Sequence, residues 1–186
     1  MKSGVRALGV AESFRDETST LAGVVVRASR VVDGFGFETC TVGGEDVTGS
    51  VRAVVDSLDR EDVRYVLVAG IALAWYNVLD LRDLHAATGI PVISVTFEES
   101  DGLEAALDRE FDGDDLERRL AVYRAQPDRH PVTVNDQQVF VRAVGVDASE
   151  ARDVVRAFTP EGGRPEPVRV ARLAARAADA WRTAED

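Results

Sequence analysis

Several acidic side chains of this chain fall where an α/β sheet would present them to a ligand. Glu12 closes an apolar run, and Glu98-Glu99 follow another, Pro91 to Phe97, so both would emerge near the carboxyl ends of strands. Open α/β sheets bind ligands outside those ends, which directs attention to Ala69–Asp80 and Thr96–Asp101. Ala69 itself brings no functional group. Glu12, at a strand end after an apolar run, is the foremost catalytic candidate; Asp46 and Asp80 are further acidic candidates, although Asp at a helix start also serves as a cap. In the Tyr76-Asn77 step, the ring could stack on a base and the amide could bond its edge or a phosphate. The plainer reading makes Asn77 a helix cap and Tyr76 a packing residue. Arg169, Arg172 and Arg176, spaced three and four apart, share a helix face that could grip phosphates or simply pair with nearby carboxylates.

Other reactive residue types carry no such pattern. His85 and His130 lack partners at ligand spacing, Ser13 and Cys40 lack a triad, and the Glu161–Pro167 loop has glycines but no Walker lysine. All five features are read as structural or surface elements.

The elements that must hold the candidates follow from periodicity. Arg6–Ser13, Thr20–Ala28 and Arg30–Val42 read as three antiparallel strands, and Asp46–Leu58 has helical apolar spacing. Val63–Val68 is a β-branched strand ending at Ala69-Gly70. A helix is expected from about Tyr76 to Thr88, stopped by Gly89, and Pro91 opens a further strand. Acidic-capped helices are expected over Asp101–Phe111 and Asp114–Arg124. A hairpin is expected from Val132–Val134 to Val139–Val146, then a helix from Asp147 or Ser149 to Phe158. TPEGGRPEP is irregular, and Val168–Trp181 is an arginine-rich amphipathic helix.

The 186 residues suit a single domain over 1–186, burying about two-thirds of the unfolded surface without staples. The opening MKSGVRALGV has no long apolar core and no run approaches a membrane span, so the expectation is cytoplasmic with no membrane partner. With 33 acidic residues against 22 basic ones, the net charge is −11, and Lys2 is the sole lysine. Carboxylates with arginine in place of lysine suit a halophilic, very salty interior. Such salt screens charges beyond about 3 Å, so acidity alone does not exclude a nucleic-acid partner.

The ordered segments RALGVAESF, TLAGVVVR, VVDGF, GGEDVT, VLVAGIALAWYNVLDL, TGIPVISV and PEPVRVARLAARA resemble the archaeal endonuclease dU family, and endonuclease V at greater distance. The resemblance spans about Arg6 to Ala178. It implies a ribonuclease H-like α/β fold with strand order 3-2-1-4-5 and a C-terminal helical extension. It also implies DNA as partner and metal-dependent cutting near a deaminated base such as deoxyuridine. Two divalent ions, Mg or Mn, would be held by carboxylates, one activating water and one stabilising the leaving oxygen. Family members place carboxylates at the positions of Ala11 and Ala69, and basic residues where Glu98-Glu99 stand here. Two readings follow. One is a nuclease whose metal site is rebuilt from Glu12, Asp46, Glu98 and Glu99, with Asp80 close by and Tyr76, Asn77, Arg169 and Arg172 on the nucleic acid. The other is a non-catalytic descendant that binds nucleic acid or protein.

Overall fold

The structure, a computed structural model, describes residues 1–184. Strands β1 (Arg6–Arg15), β2 (Thr18–Arg27) and β3 (Val32–Thr41) form an antiparallel meander, in which Gly9 faces Val24 and Glu12 faces Leu21. The first turn is tighter than expected: only Asp16 and Glu17 separate β1 from β2, and Asp16 takes a left-handed φ of 53°. Short polar residues tolerate that conformation. Strand β1 therefore continues past Glu12, which lies within the strand and not at its end.

Helix α1 (Val47–Leu58) buries Val47, Val51 and Val54 against the sheet and returns the chain to β4 (Val63–Val68), parallel to β1. The expected long helix from Tyr76 does not form. Ala72–Leu73 (β5) and Asn77–Val78 (β6) make a small hairpin instead, turned by Ala74, Trp75 and Tyr76 at φ of 44°, 58° and 58°. Three consecutive left-handed residues cannot belong to a right-handed helix. Helix α2 (Leu81–Thr88) starts only after Asp80, whose carboxylate accepts the backbone N–H groups of Arg82 and Asp83. Strand β7 (Val92–Thr96) then adds parallel to β4.

Helices α3 (Glu104–Glu110) and α4 (Gly113–Arg124) follow, and the hairpin of β8 (His130–Val134) and β9 (Gln137–Val144) joins β7 antiparallel. Sheet order is β3-β2-β1-β4-β7-β9-β8. The first five strands match the expected order, and the hairpin widens the sheet beyond it.

Helices α1 and α2 cover one face, with Leu8, Val10, Val51, Val54 and Val66 in the core beneath them. On the other face, Ala7, Leu67, Ile93 and Val95 pack with Val154, Val155 and Phe158 of or beside α5 (Ala148–Ala157). Helix α6 (Glu166–Arg182) lies on β1 and β2, its Ala171 buried with Ala11, Val24 and Val26. No helix among the described residues is long and apolar enough to cross a membrane.

Candidate functional site

Where β4 ends, Gly70 takes φ of 85° and turns the chain away from β7, which leaves a cleft between the two carboxyl ends. Its volume is about 380 Å³. Ser94 and Thr96 of β7 lie at its base, and Phe97, Tyr123 and Phe140 form apolar walls. Four arginines converge on it: Arg129, Arg142, Arg164 and Arg172.

Three of these guanidinium groups lie over aromatic rings. Arg129 stands 4.1 Å from the Phe140 centroid, Arg164 stands 4.1 Å from that of Phe97, and Arg142 stands 5.5 Å from that of Tyr123. The negative face of a ring attracts a cation. Arg129 also donates to Thr96 Oγ1 at 2.8 and 3.1 Å, to Ser100 Oγ at 3.1 Å and to the carbonyl of Glu98. Arg142 donates to the carbonyl of Pro127. All these acceptors are neutral.

Among the described residues, none of the four arginines forms a salt bridge, whereas Arg6 and Arg27 share Asp33, Arg60 meets Asp62, Arg118 meets Glu45 and Arg124 meets Glu104. Glu98 and Glu99 lie exposed at the cleft without an ion pair. Burial pushes the pKa of Arg129 down and Arg142 adds to the shift; burial and then Arg172 and Arg176 do the same to Arg164. Guanidinium starts so high that it stays charged, and the direction records burial first and neighbouring like charge second, with Glu99 opposing it at Arg129.

The expected metal ligands do not converge here. Ala11 and Ala69 are neighbours, since the Ala69 N–H donates to the Val10 carbonyl at 3.1 Å, but they meet an apolar layer with Ala171, Ala174 and Val170. Glu12 projects to the opposite face of β1, by strand alternation, where Ser19 Oγ donates to its carboxylate at 2.6 Å. Asp46 accepts the Thr41 N–H at 3.1 Å, the Thr41 hydroxyl at 2.8 Å and the Asn77 amide at 2.6 Å. Burial pushes the Asp46 carboxyl up, but hydrogen bonds from Thr41 and Asn77 outweigh it and hold it below its ordinary value. Asp80 is the α2 cap, Glu98 lines the arginine cleft, and Glu99 acts on Arg129 there.

Among the described residues, no group of three or more His, Cys, Asp or Glu side chains could hold a metal ion. The cleft charge also opposes one: a dication ~6 Å from a single guanidinium meets roughly 5 kcal/mol of repulsion at an effective dielectric constant of about 20. Magnesium or manganese does not fit these residues.

The candidate nucleic-acid contacts also separate. Asn77 is fully buried; its Oδ1 accepts the Val47 N–H at 3.1 Å while Nδ2 donates to the Thr41 carbonyl at 2.9 Å. It caps α1, not the helix that follows it. Tyr76 is half-buried edge-on to Trp75, and Trp75 is the exposed ring, at 50%. Arg169 is bound by both carboxylate oxygens of Glu166 at 2.7 Å, whereas Arg172 is exposed and lines the cleft.

Cys40 lies in the core beneath α1, 3% exposed, with Asp46 and Glu12 close enough to act on it. Burial pushes its thiol up to about 12, and Asp46 and then Glu12 add to that. Because the thiolate is the nucleophile, iodoacetamide at pH 8 should leave Cys40 unlabelled in folded protein and alkylate it after denaturation. Mass spectrometry distinguishes the two, and rapid labelling of the folded form would show that the Glu12–Asp46 region opens to solvent.

The sequence reading missed Arg129, Arg142 and Arg164. One signal was available: Arg142 interrupts the apolar strand VFVRAV, where a charge needs a purpose.

The endonuclease dU family model matches residues 3–179. The chain belongs to the endonuclease dU family. Within the similarities, the UPF0215 protein of Thermococcus kodakarensis is 34% identical over 186 aligned positions, covering 95% of this chain and 93% of that one. A crystal structure of a protein of unknown function from Archaeoglobus fulgidus superposes with a TM-score of 0.83 at 27% identity, covering 93% and 97% of the two chains. Endonuclease V of Ciona intestinalis, solved with a 24mer DNA containing an inosine followed by a ribo-adenosine, shares the fold at a TM-score of 0.63 and 11% identity. That alignment covers 93% of this chain and 84% of the other. In this endonuclease dU chain Ala69 lines the arginine cleft and packs in the apolar layer that buries Ala11.

Proposed function

We propose that this chain is a DNA-binding member of the endonuclease dU family that grips the phosphate backbone through its arginine cleft and performs no two-metal cleavage. The supporting observation is the cleft itself: four arginines gathered, none in a salt bridge among the described residues, in a chain of net charge −11. Lysine and arginine contacts to phosphate dominate nucleic-acid affinity. The cleft also lies at the carboxyl ends of parallel strands, where this class of sheet binds ligands. The DNA carried by the endonuclease V relative supports the choice of partner, and the family match supports DNA containing deoxyuridine or another deaminated base as its target.

A rebuilt metal-dependent nuclease is the competing reading, favoured by one observation: Glu12 is bonded by Ser19, the register partner of Cys40, and Asp46 by the adjacent Thr41. Two carboxylates, one already saturated by Thr41 and Asn77, are too few for two ions.

The test uses duplex and single-stranded oligonucleotides with uracil, hypoxanthine or normal bases, at KCl concentrations where circular dichroism shows folded protein. Binding should survive EDTA, weaken about tenfold in Arg172→Gln, and produce no nicks with magnesium or manganese. Manganese-dependent nicking that disappears in Glu12→Ala would establish the rebuilt nuclease and overturn the proposal.

A further inference from the structure

Orientation, charge and size give the cleft a narrower chemistry than general attraction to DNA. The Phe140, Phe97 and Tyr123 rings each have one guanidinium over them, at 4.1, 4.1 and 5.5 Å from the centroid. A guanidinium over a ring can still offer its in-plane N–H donors to an anion, and two parallel donors match two oxygens of one phosphate. Arg129 already donates from all three nitrogens to Thr96, Ser100 and Glu98, and Arg142 donates from one to Pro127. Arg164 is the clearest case: half-buried over Phe97, it has no hydrogen bond or ion pair among the described residues. Among the residues lining the cleft the one carboxylate is the exposed Glu98; the other charged groups are arginines.

Charge decides between ligands. A phosphodiester within a strand carries one negative charge, whereas a terminal phosphomonoester carries nearly two at neutral pH. Clustered guanidinium groups favour the ligand that cancels more of their mutual repulsion, and each added charge acts where burial has reduced solvent screening. Size points the same way. About 380 Å³, based on Ser94 and Thr96 and walled by three rings, suits a single phosphate with part of its nucleotide rather than a continuing strand.

Resting on the DNA-binding reading above, we infer that the cleft is a metal-free receptor for the terminal phosphate of a DNA strand, held by Arg164, Arg129, Arg142 and Arg172. The ligand class is a phosphorylated strand end, such as a nick or break leaves. A phosphate on the 5′ or the 3′ oxygen offers the same chemistry.

Fluorescence anisotropy with the full chain tests this directly, using one oligonucleotide with an internal fluorophore and 5′-phosphate, 3′-phosphate or hydroxyl ends. One phosphorylated form should bind at least tenfold tighter than the hydroxyl form in EDTA, and which one identifies the end recognised. Inorganic phosphate should erase that advantage. Arg164→Gln should also erase it, while Arg52→Gln, which alters an exposed pair on α1, should preserve it. If Arg164→Gln melts early, Arg172→Gln, at an exposed position, serves in its place. Equal affinity for phosphorylated and hydroxyl ends would overturn the strand-end inference, and with binding still reduced by Arg172→Gln it would leave the general DNA-binding reading intact. Absence of binding to every oligonucleotide by folded protein would overturn both.

Discussion

Replacing Gly9 with alanine is expected to destabilise the protein by about 3 kcal/mol and to weaken DNA binding by whatever remains folded. A Cβ built on Gly9 falls 2.1 Å from both the carbonyl carbon and the oxygen of Pro167, and 2.7 Å from its Cβ. The obstacle is backbone, so no rotamer change relieves it; either β1 bends or the first turn of α6 lifts. Overpacking of this kind costs about 1–3 kcal/mol, and more where the backbone must move. For a chain of this size, ~3 kcal/mol corresponds to a melting temperature lower by roughly 6–12 °C.

The functional effect arises because α6 carries Arg172 and is entered directly from Arg164, so lifting its first turn displaces two sides of the cleft. Gly49→Ala is the matching control. Its Cβ would meet nothing within 4 Å, and it lies inside α1. There alanine should add about 0.5–1 kcal/mol and leave binding unchanged. Thermal melts and anisotropy titrations on both variants separate close packing from a general intolerance of substitution. A Gly9→Ala protein with unaltered melting would show that α6 is not held against β1 in this way.

Gly9 also illustrates what the sequence could and could not reveal. Near-continuous apolar runs in β1, β2 and β7, and the apolar or alternating pattern of β3 and β4, made those five strands legible, because burial leaves a pattern that survives without knowledge of partners. The Tyr76–Thr88 helix failed at its first half because Tyr76 to Leu79 carries helix-compatible spacing while the left-handed turn at Ala74–Tyr76 is imposed by tertiary contact. Gly43 N–H donating to the Ala74 carbonyl at 2.7 Å, and Leu79 N–H donating to that of Ile71 at 2.8 Å, are part of that context. No local signal encodes either.

The candidate site was legible only as a location. Sheet topology pointed to the ends of β4 and β7, and the cleft is there. Its arginines come from β9, from the segment before β8, from the loop before α6 and from α6 itself. Residues so distant in sequence show no spacing, and their shared feature, the want of a salt bridge among the described residues, exists only in three dimensions. The carboxylates had the opposite fate. Glu12, Asp46, Asp80 and Glu98 are visible as acids near strand and helix ends, but strand alternation and capping distribute them to different tasks.

Asn77 separates those tasks most sharply. Asn77→Ala is expected to lower stability by about 3 kcal/mol, a fall of roughly 6–12 °C in melting temperature, with the DNA affinity of the folded protein within about twofold of the original. Its amide joins three points: the N–H of Val47 at the start of α1, the carbonyl of Thr41 at the end of β3, and the Asp46 carboxylate. Removing it leaves the Val47 N–H, at a fully buried residue, without its acceptor, and each such loss costs ~1–3 kcal/mol. Asn77→Asp should be worse at pH 7. A carboxylate can still accept from Val47, but it cannot donate to Asp46, and two negative charges would meet where the amide now sits at 2.6 Å. That repulsion raises the pKa of the introduced carboxyl above its unfolded value. The penalty is therefore complete above the raised folded value, and it shrinks as pH falls through that value and protonation restores a donor. Melting curves of Asn77→Asp between pH 7 and pH 4.5 should converge toward wild type as acid is added. A variant that melts normally at pH 7 yet binds DNA poorly would instead make Asn77 a nucleic-acid contact, which its complete burial and three intramolecular hydrogen bonds argue against.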